Sequence, residues 1–110
     1  MGLGVSPDFH WRKTMLKINI RKEFKKDWIS REAGERLRMM ILEADQKGEA
    51  IQIDFGNKMI ASTSFFDEGF AKLTESGWTE QDLVKKIKFV DIHPQDERIL
   101  KTLCKNRKMG

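Results

Sequence analysis

The stretch Ile51-Gln52-Ile53-Asp54-Phe55 alternates apolar and polar residues, and a few residues later comes Ser62-Thr63-Ser64-Phe65-Phe66-Asp67-Glu68. Alternation with a period of two predicts a β-strand whose apolar side chains share one face. The three hydroxyl residues stand where the next helix is expected to begin. A helix N-terminus has unpaired N–H groups and partial positive charge, so these hydroxyls can cap the helix, accept a phosphate group, or do both.

Strands and helices alternate along the rest of the chain. Strand patterns cover residues 15–20 and 87–92, and helix patterns cover residues 31–46, 65–76, 79–85 and a last helix that begins at Pro94. This alternation predicts an α/β fold with crossover connections. We expect a mixed sheet of about four strands flanked by helices. An antiparallel edge is expected in this sheet, and Phe9 and Trp11 are the candidates for an edge strand.

Polar residues at the predicted helix starts have the chemistry of N-caps. Ser30 precedes the first long helix, and Thr79 precedes the short helix at 79–85. Ser64 with Asp67 three residues later resembles a capping box, although Glu or Gln is usual at the second place. His93 comes just before Pro94, which fits the first position of a helix, so His93 is the expected N-cap of the last helix.

Gly34 falls inside the helix predicted over residues 31–46. Glycine in a helix interior costs up to about 1 kcal/mol relative to alanine. We expect close packing against a neighbouring element to be the reason that glycine is present there. The apolar stripe of this helix is Ala33, Leu37, Met40, Ile41 and Ala44.

The length and composition of the chain indicate one soluble domain. Its 110 residues are enough for a single core and too few for two. No apolar run approaches the roughly 20 residues needed to span a bilayer, and the N-terminus lacks the pattern of a signal peptide. Cys104 is the only cysteine, which excludes an internal disulfide and fits a reducing compartment. We therefore expect a cytoplasmic protein with no membrane contact.

Basic residues are concentrated at the two ends of the chain. Residues 1–26 have a net charge of +5, residues 27–100 a net charge of −5, and residues 101–110 a net charge of +4. A nucleic-acid-binding protein usually clusters its basic residues on one face, together with aromatic residues or a reading helix. Basic ends on an acidic body are more often solvated termini. Binding of nucleic acid by the basic termini is the alternative function.

The residues of this chain do not form a recognisable catalytic, metal or cofactor site. His10 and His93 lie at opposite ends, and with one cysteine they give no metal-ligand spacing. The glycines are dispersed and form no phosphate-binding loop. Asp67 and Glu68 are adjacent in a predicted helix and point about 100° apart, so they do not share a site. We expect no catalytic residue, no metal, no cofactor and no enzyme activity.

Two segments resemble the motifs of a known family. Residues 29–38, Ile-Ser-Arg-Glu-Ala-Gly-Glu-Arg-Leu-Arg, resemble one stretch of the STAS-like domains of unknown function. Residues 53–55 together with residues 61–68, Ala-Ser-Thr-Ser-Phe-Phe-Asp-Glu, resemble a second stretch of the same family. The resemblance extends over roughly residues 14–107. It implies a STAS-like domain over residues 14–110, with residues 1–13 as a leader or edge segment.

STAS domains proper include the anti-sigma-factor antagonists, and this relationship implies a candidate phosphorylation site. In those proteins an ATPase-type serine kinase phosphorylates a Ser or Thr of an Asp-Ser-Ser-Gly motif in a strand-to-helix loop. By position, Ser62, Thr63, Ser64 and Phe65 match that motif. Thr63 is then the first phosphoacceptor candidate and Ser64 the second. The acidic residue of the motif is Ser62 here and its glycine is Phe65, so two of the four residue types differ.

The resemblance implies a small non-catalytic regulatory domain that binds a protein partner around this loop. Its candidate partner is a serine-kinase-type ATPase with a histidine-kinase-type fold. The candidate partner-binding residues are Ser62, Thr63, Ser64, Phe65, Asp67 and Glu68. The sequence allows three roles for the hydroxyl residues: they cap a helix, they accept a phosphate group, or they contact a partner directly. A homodimer that pairs through an exposed strand edge is a further alternative.

Overall fold

Three parallel strands form the sheet in the computed structural model, which describes residues 14–24 and 30–109. The strands are β1 (Met15–Asn19), β2 (Ala50–Asp54) and β3 (Ile87–Val90), in the order β1-β2-β3. The prediction of an α/β fold is confirmed. The prediction of a mixed sheet of about four strands is wrong for the described residues, because each connection contains helices that return the chain to the same end of the sheet. The edge strand predicted at Phe9 and Trp11 lies outside the described residues.

The two faces of the sheet differ in polarity. Ile18, Ile53 and Phe89 are aligned across the three strands and are buried. Lys17 and Gln52, aligned on the opposite face, are exposed and half-buried respectively. The helices therefore pack against the apolar face, and their buried side chains form one core with it. Strand β3 is shorter than the predicted range of 87–92.

Helices make up most of the remaining described residues. They are α1 (Ile20–Phe24), α2 (Arg31–Gln46), α3 (Thr63–Gly69), a 3-10 helix (Ala71–Ser76), α4 (Glu80–Lys86) and α5 (Pro94–Asn106). The range of 31–46 is confirmed for α2, and α5 begins at Pro94 as predicted. The short helix α1 was not predicted. No described helix combines the length and the apolar character that crossing a bilayer requires.

The single helix predicted over residues 65–76 is wrong. The α-helix ends at Gly69, and the backbone of Phe70 (φ −124°, ψ −54°) lies outside the α region before the 3-10 helix begins. The Phe70 ring packs against the rings of Phe66 and Phe89, with centroids 6.0 and 5.4 Å apart. This tertiary contact has no signature in the helical periodicity of the sequence.

The capping predictions are confirmed with one exception. Ser30 accepts a hydrogen bond from the Ala33 N–H at 3.0 Å, and the His93 ring accepts one from the Gln95 N–H at 3.0 Å. Thr79 and Asp82 form a complete capping box. Ser64 is not the cap of α3, because the helix begins earlier and Ser62 occupies the N-cap position.

Helix α2 packs closely against α3 at Gly34, as predicted. A Cβ atom at Gly34 would lie 2.7 Å from the carbonyl oxygen of Phe65 and 2.9 Å from Cβ of Glu68. Gly69 faces the same contact, where its Cβ would lie 3.3 Å from Leu37. Only a residue without a side chain lets the two backbones approach this closely. The position of α3, which begins with the hydroxyl residues, is therefore set by α2.

Candidate functional site

The loop before α3 is held by a buried carboxylate of α5. Asp96 is fully buried, and its two oxygens accept hydrogen bonds from the N–H groups of Ile60 at 2.7 Å and Ala61 at 2.8 Å. Ala61 has a φ of 53°, in the left-handed region that alanine rarely adopts. Asp96 thus satisfies two loop donors and stabilises the backbone conformation that leads to the hydroxyl residues.

The three hydroxyl residues lie in different environments. The Ser62 side chain accepts a hydrogen bond from the Phe65 N–H at 3.1 Å and caps α3. Thr63 is the first residue of the helix and is exposed, whereas Ser64 is half-buried. Thr63 is therefore the most exposed of the three residues.

Phe65 belongs to the hydrophobic core. Its side chain is fully buried, and its ring lies edge-on to the rings of Phe24 and Phe66, with centroids 6.0 and 5.6 Å apart. The structure therefore places this candidate partner-binding residue beneath the surface that Thr63 occupies.

Asp67 connects α3 to the end of α5. Its carboxylate accepts hydrogen bonds from Nε of Arg107 at 2.6 Å and from Nη2 at 2.7 Å. These hydrogen bonds lower the pKa of Asp67, although partial burial acts in the opposite direction. Arg107 also lies 3.3 Å from the carboxylate of Glu75. A bidentate pair of this kind fixes geometry as well as contributing energy.

Glu68 connects α3 to α2. Its side chain is only 5% exposed, and its carboxylate lies 2.8 Å from Arg31, 3.1 Å from Arg38 and 3.2 Å from Lys72. Burial raises the pKa of Glu68, but the hydrogen bonds from Arg38, Arg31 and Lys72 outweigh it and bring the pKa to about 2. Asp67 and Glu68 thus point to different helices, in agreement with the angle between adjacent helical residues.

A groove lies beside Thr63, and the sequence reasoning did not identify it. It has a volume of about 340 Å³ and is lined by Thr63 and by one face of α5: Gln95, Arg98, Ile99, Thr102, Leu103 and Asn106. These α5 residues recur three or four positions apart, which is the spacing of one helical face. That spacing is visible in the sequence, but the contact between this face and α3 is not.

The sequence reasoning also missed Asp96. It lies four and eight residues before Leu100 and Cys104, on the buried stripe of α5. An acidic residue in an apolar stripe is a signal for a buried, hydrogen-bonded carboxylate. Within residues 14–24 and 30–109, no three His, Cys, Asp or Glu side chains form a group that could hold a metal ion.

Comparison with known proteins identifies a family match. The model of a family described as a STAS-like domain of unknown function (DUF4325) matches residues 33–97, more than half of the chain. The matched range includes the Gly34 contact, the hydroxyl residues and Asp96. No curated protein and no solved structure shows significant similarity to the chain.

Proposed function

The chain belongs to the family of STAS-like domains of unknown function, and from this we propose that it is a non-catalytic regulatory domain that binds a protein partner. The proposed binding site is Thr63 together with the groove between Thr63 and α5. The resemblance of residues 62–65 to the phosphorylated loop of anti-sigma-factor antagonists supports this site.

The main observation behind the proposal is that hydrogen bonds and ion pairs fix the backbone around the exposed Thr63. Asp96 holds the loop before it, and the Ser62 side chain caps the helix that it begins. Asp67 and Glu68, one turn later, bind basic residues of two other elements. A surface whose geometry is set before binding loses little conformational entropy when a partner binds.

Thr63 is the best-placed phosphoacceptor of the three hydroxyl residues. It is exposed, whereas Ser62 is used as a cap and Ser64 is half-buried. A phosphate group would add nearly two negative charges at neutral pH. The charges of Asp67 and Glu68 are balanced by Arg107 and by the three cations around Glu68, so they oppose this addition only weakly.

The candidate partner is a serine-kinase-type ATPase with a histidine-kinase-type fold. The support for it is the resemblance of the loop position to that of the anti-sigma-factor antagonists, which such kinases bind and phosphorylate. The exposure of Thr63 is consistent with modification by another protein.

The test is to incubate the purified protein with candidate ATPases of this type, such as those encoded by neighbouring genes, and with ATP. Mass spectrometry maps the modified residue, and size-exclusion chromatography detects a complex. We expect modification at Thr63 that Thr63→Val abolishes. The matched control is Ser76→Ala, which removes an exposed hydroxyl at the end of the 3-10 helix, outside the groove lining. If no such ATPase forms a complex with the protein and none modifies it, the proposal is overturned.

The alternative, nucleic-acid binding by the basic termini, has less support. Arg107 is one of four basic residues in the range of 101–110, and it pairs with Asp67 and Glu75. Nucleic-acid binding predicts an affinity that falls steeply with salt. Labelled oligonucleotides are titrated at two salt concentrations with the wild type and with a Lys105→Glu, Lys108→Glu variant, which reverses two exposed charges without removing buried residues.

A further inference from the structure

The groove beside Thr63 has an apolar floor and a polar border. Ile99 and Leu103, one turn apart on α5, are partly buried aliphatic residues, and they pack against the hydrophobic core. The volume of about 340 Å³ is within the range of pockets that bind drug-sized ligands or individual side chains. The aliphatic side chains give this groove an affinity for apolar groups.

The solvent side of the groove carries positive charge. Arg98 lines it. Lys101 and Lys105 are not among the lining residues, but they follow Arg98 at intervals of three and four residues and so lie on the stripe of α5 that borders the groove. None of the described residues that line the groove is acidic. Arg98 donates a hydrogen bond to the neutral Oε1 of Gln95 at 2.8 Å. Among the described residues no carboxylate pairs with Arg98 in the way that Asp67 pairs with Arg107.

We propose that this groove binds an acidic amphipathic segment of a protein partner. Apolar side chains of the segment contact Ile99 and Leu103, and its carboxylates pair with Arg98 and Lys105. Carboxylates are the complementary partners of an unbalanced guanidinium group beside an apolar surface. The inference deepens the proposed function and rests on it, because Thr63 lines the same groove.

The lining of the groove favours an acidic peptide over a nucleic acid. Binding of single strands relies on aromatic side chains that stack with the bases. The described lining residues are aliphatic and polar, with no aromatic ring among them. An aliphatic floor with basic residues along one side is instead the pattern that receives an amphipathic helix in a groove.

The test begins with the selection of binding peptides from a displayed random library. The peptides are about 16 residues long, so that a helical peptide can present several apolar side chains on one face. The bait is the 110-residue chain. We expect the selected peptides to combine Asp or Glu with Leu, Ile or Phe. Fluorescence polarisation of a labelled selected peptide then gives its affinity for the variants.

The variant that tests the groove is Arg98→Glu combined with Lys105→Glu, both exposed positions of α5. We expect it to weaken binding of the selected peptide by about tenfold or more, because attraction becomes like-charge repulsion. The matched control is Lys17→Glu combined with Lys22→Glu, two exposed charge reversals on β1 and α1 outside the groove lining, which should leave the affinity unchanged. Ile99→Asp should also abolish binding, with circular dichroism to establish that the variant folds.

Several results would overturn the inference. These are selection of no peptide, selection of basic or uncharged peptides, and an affinity that the Arg98 and Lys105 reversals do not change. Binding of a labelled oligonucleotide that depends on the same two residues would assign the groove to nucleic acid. Self-association that the same reversals abolish would assign it to a second copy of the chain.

The outcomes also separate this inference from the proposed function. If acidic peptides bind through Arg98 but no ATPase binds or modifies Thr63, the groove inference holds and the ATPase is excluded as the partner. If an ATPase binds and the Arg98 and Lys105 reversals leave its affinity unchanged, the groove inference is wrong and the proposed function stands.

Discussion

Arg38 on α2 donates hydrogen bonds to both the backbone carbonyl oxygen and the carboxylate of Glu68 on α3. One side chain therefore joins the two sequence segments that resemble the family motifs, residues 29–38 and residues 61–68. Gly34, from the first segment, lies against the backbone of the second. The two motifs form one structural unit, and that unit sets the position of Thr63.

The contact at Gly34 predicts that Gly34→Ala destabilises the protein. Alanine is the better helix former, but its Cβ atom would lie 2.7 Å from the backbone carbonyl oxygen of Phe65, which cannot move without moving α3. We expect a loss of about 1–3 kcal/mol in the free energy of unfolding, measured by urea denaturation. Glu35→Ala, the exposed neighbour on α2, serves as control and should change it little. A Gly34→Ala protein as stable as the wild type would contradict the close contact.

The buried Glu68 predicts a pH-dependent difference in stability between the wild type and Glu68→Gln. Its pKa in the folded protein is about 2, below the ordinary value of 4.5. The contribution of the ionised carboxylate is therefore fully present above about pH 4.5 and is lost as the pH falls towards 2. We expect the wild type to be more stable near pH 7 by on the order of 1–3 kcal/mol.

Denaturation curves at several pH values measure the difference in the free energy of unfolding between the wild type and Glu68→Gln. This difference should shrink as the pH falls from about 4.5 towards 2. Glu43→Gln is the control, because the ion pair of Glu43 with Lys47 is exposed on both sides and contributes little. A difference for Glu68→Gln that stays constant from pH 7 to pH 2 would contradict the assignment.

The two hydrogen bonds of Asp96 predict that Asp96→Asn loosens the loop before Thr63. The amide group keeps one acceptor oxygen but turns an NH₂ group towards the second N–H donor, so one buried donor loses its partner. We expect a loss of about 2–3 kcal/mol in stability. Amide hydrogen exchange of Ile60 and Ala61 should accelerate more than that of the core strands. Asp91→Asn, an exposed position with a φ of 52° that asparagine tolerates, should leave both measurements nearly unchanged.

The burial of Cys104 predicts an unreactive thiol. Burial raises the pKa of the Cys104 thiol to about 12, and the charges of Glu80 and Asp67 act in the same direction. At pH 8 we expect its reaction with a thiol reagent such as DTNB to be about 1,000-fold slower than in denaturant, because the reacting form is the thiolate. In a Cys104→Ala background, Thr102→Cys places a thiol at an exposed position of α5 and should react rapidly. Fast reaction of native Cys104 would contradict its burial.

Part of the candidate site was predictable from local chemistry. The hydroxyl residues were correctly expected at a helix start, and the divergence of Asp67 from Glu68 follows from helix geometry alone. The choice of Ser62 rather than Ser64 as the cap was not predictable, because both residues have suitable side chains. The packing of α3 against Gly34 decides between them, and this contact joins residues about 30 positions apart.

By itself the sequence determined the α/β class, the range of α2, the start of α5 and the inward face of the strand at residues 51–55. Each of these follows from interactions within a few residues: side-chain periodicity and capping. The tertiary structure alone decided which side chains of the candidate site are exposed. Phe65 is covered by its neighbours, Glu68 is enclosed by cations from α2, and Thr63 is left open beside the face of α5. The reason is that exposure depends on which distant elements pack together, and periodicity carries no information about that.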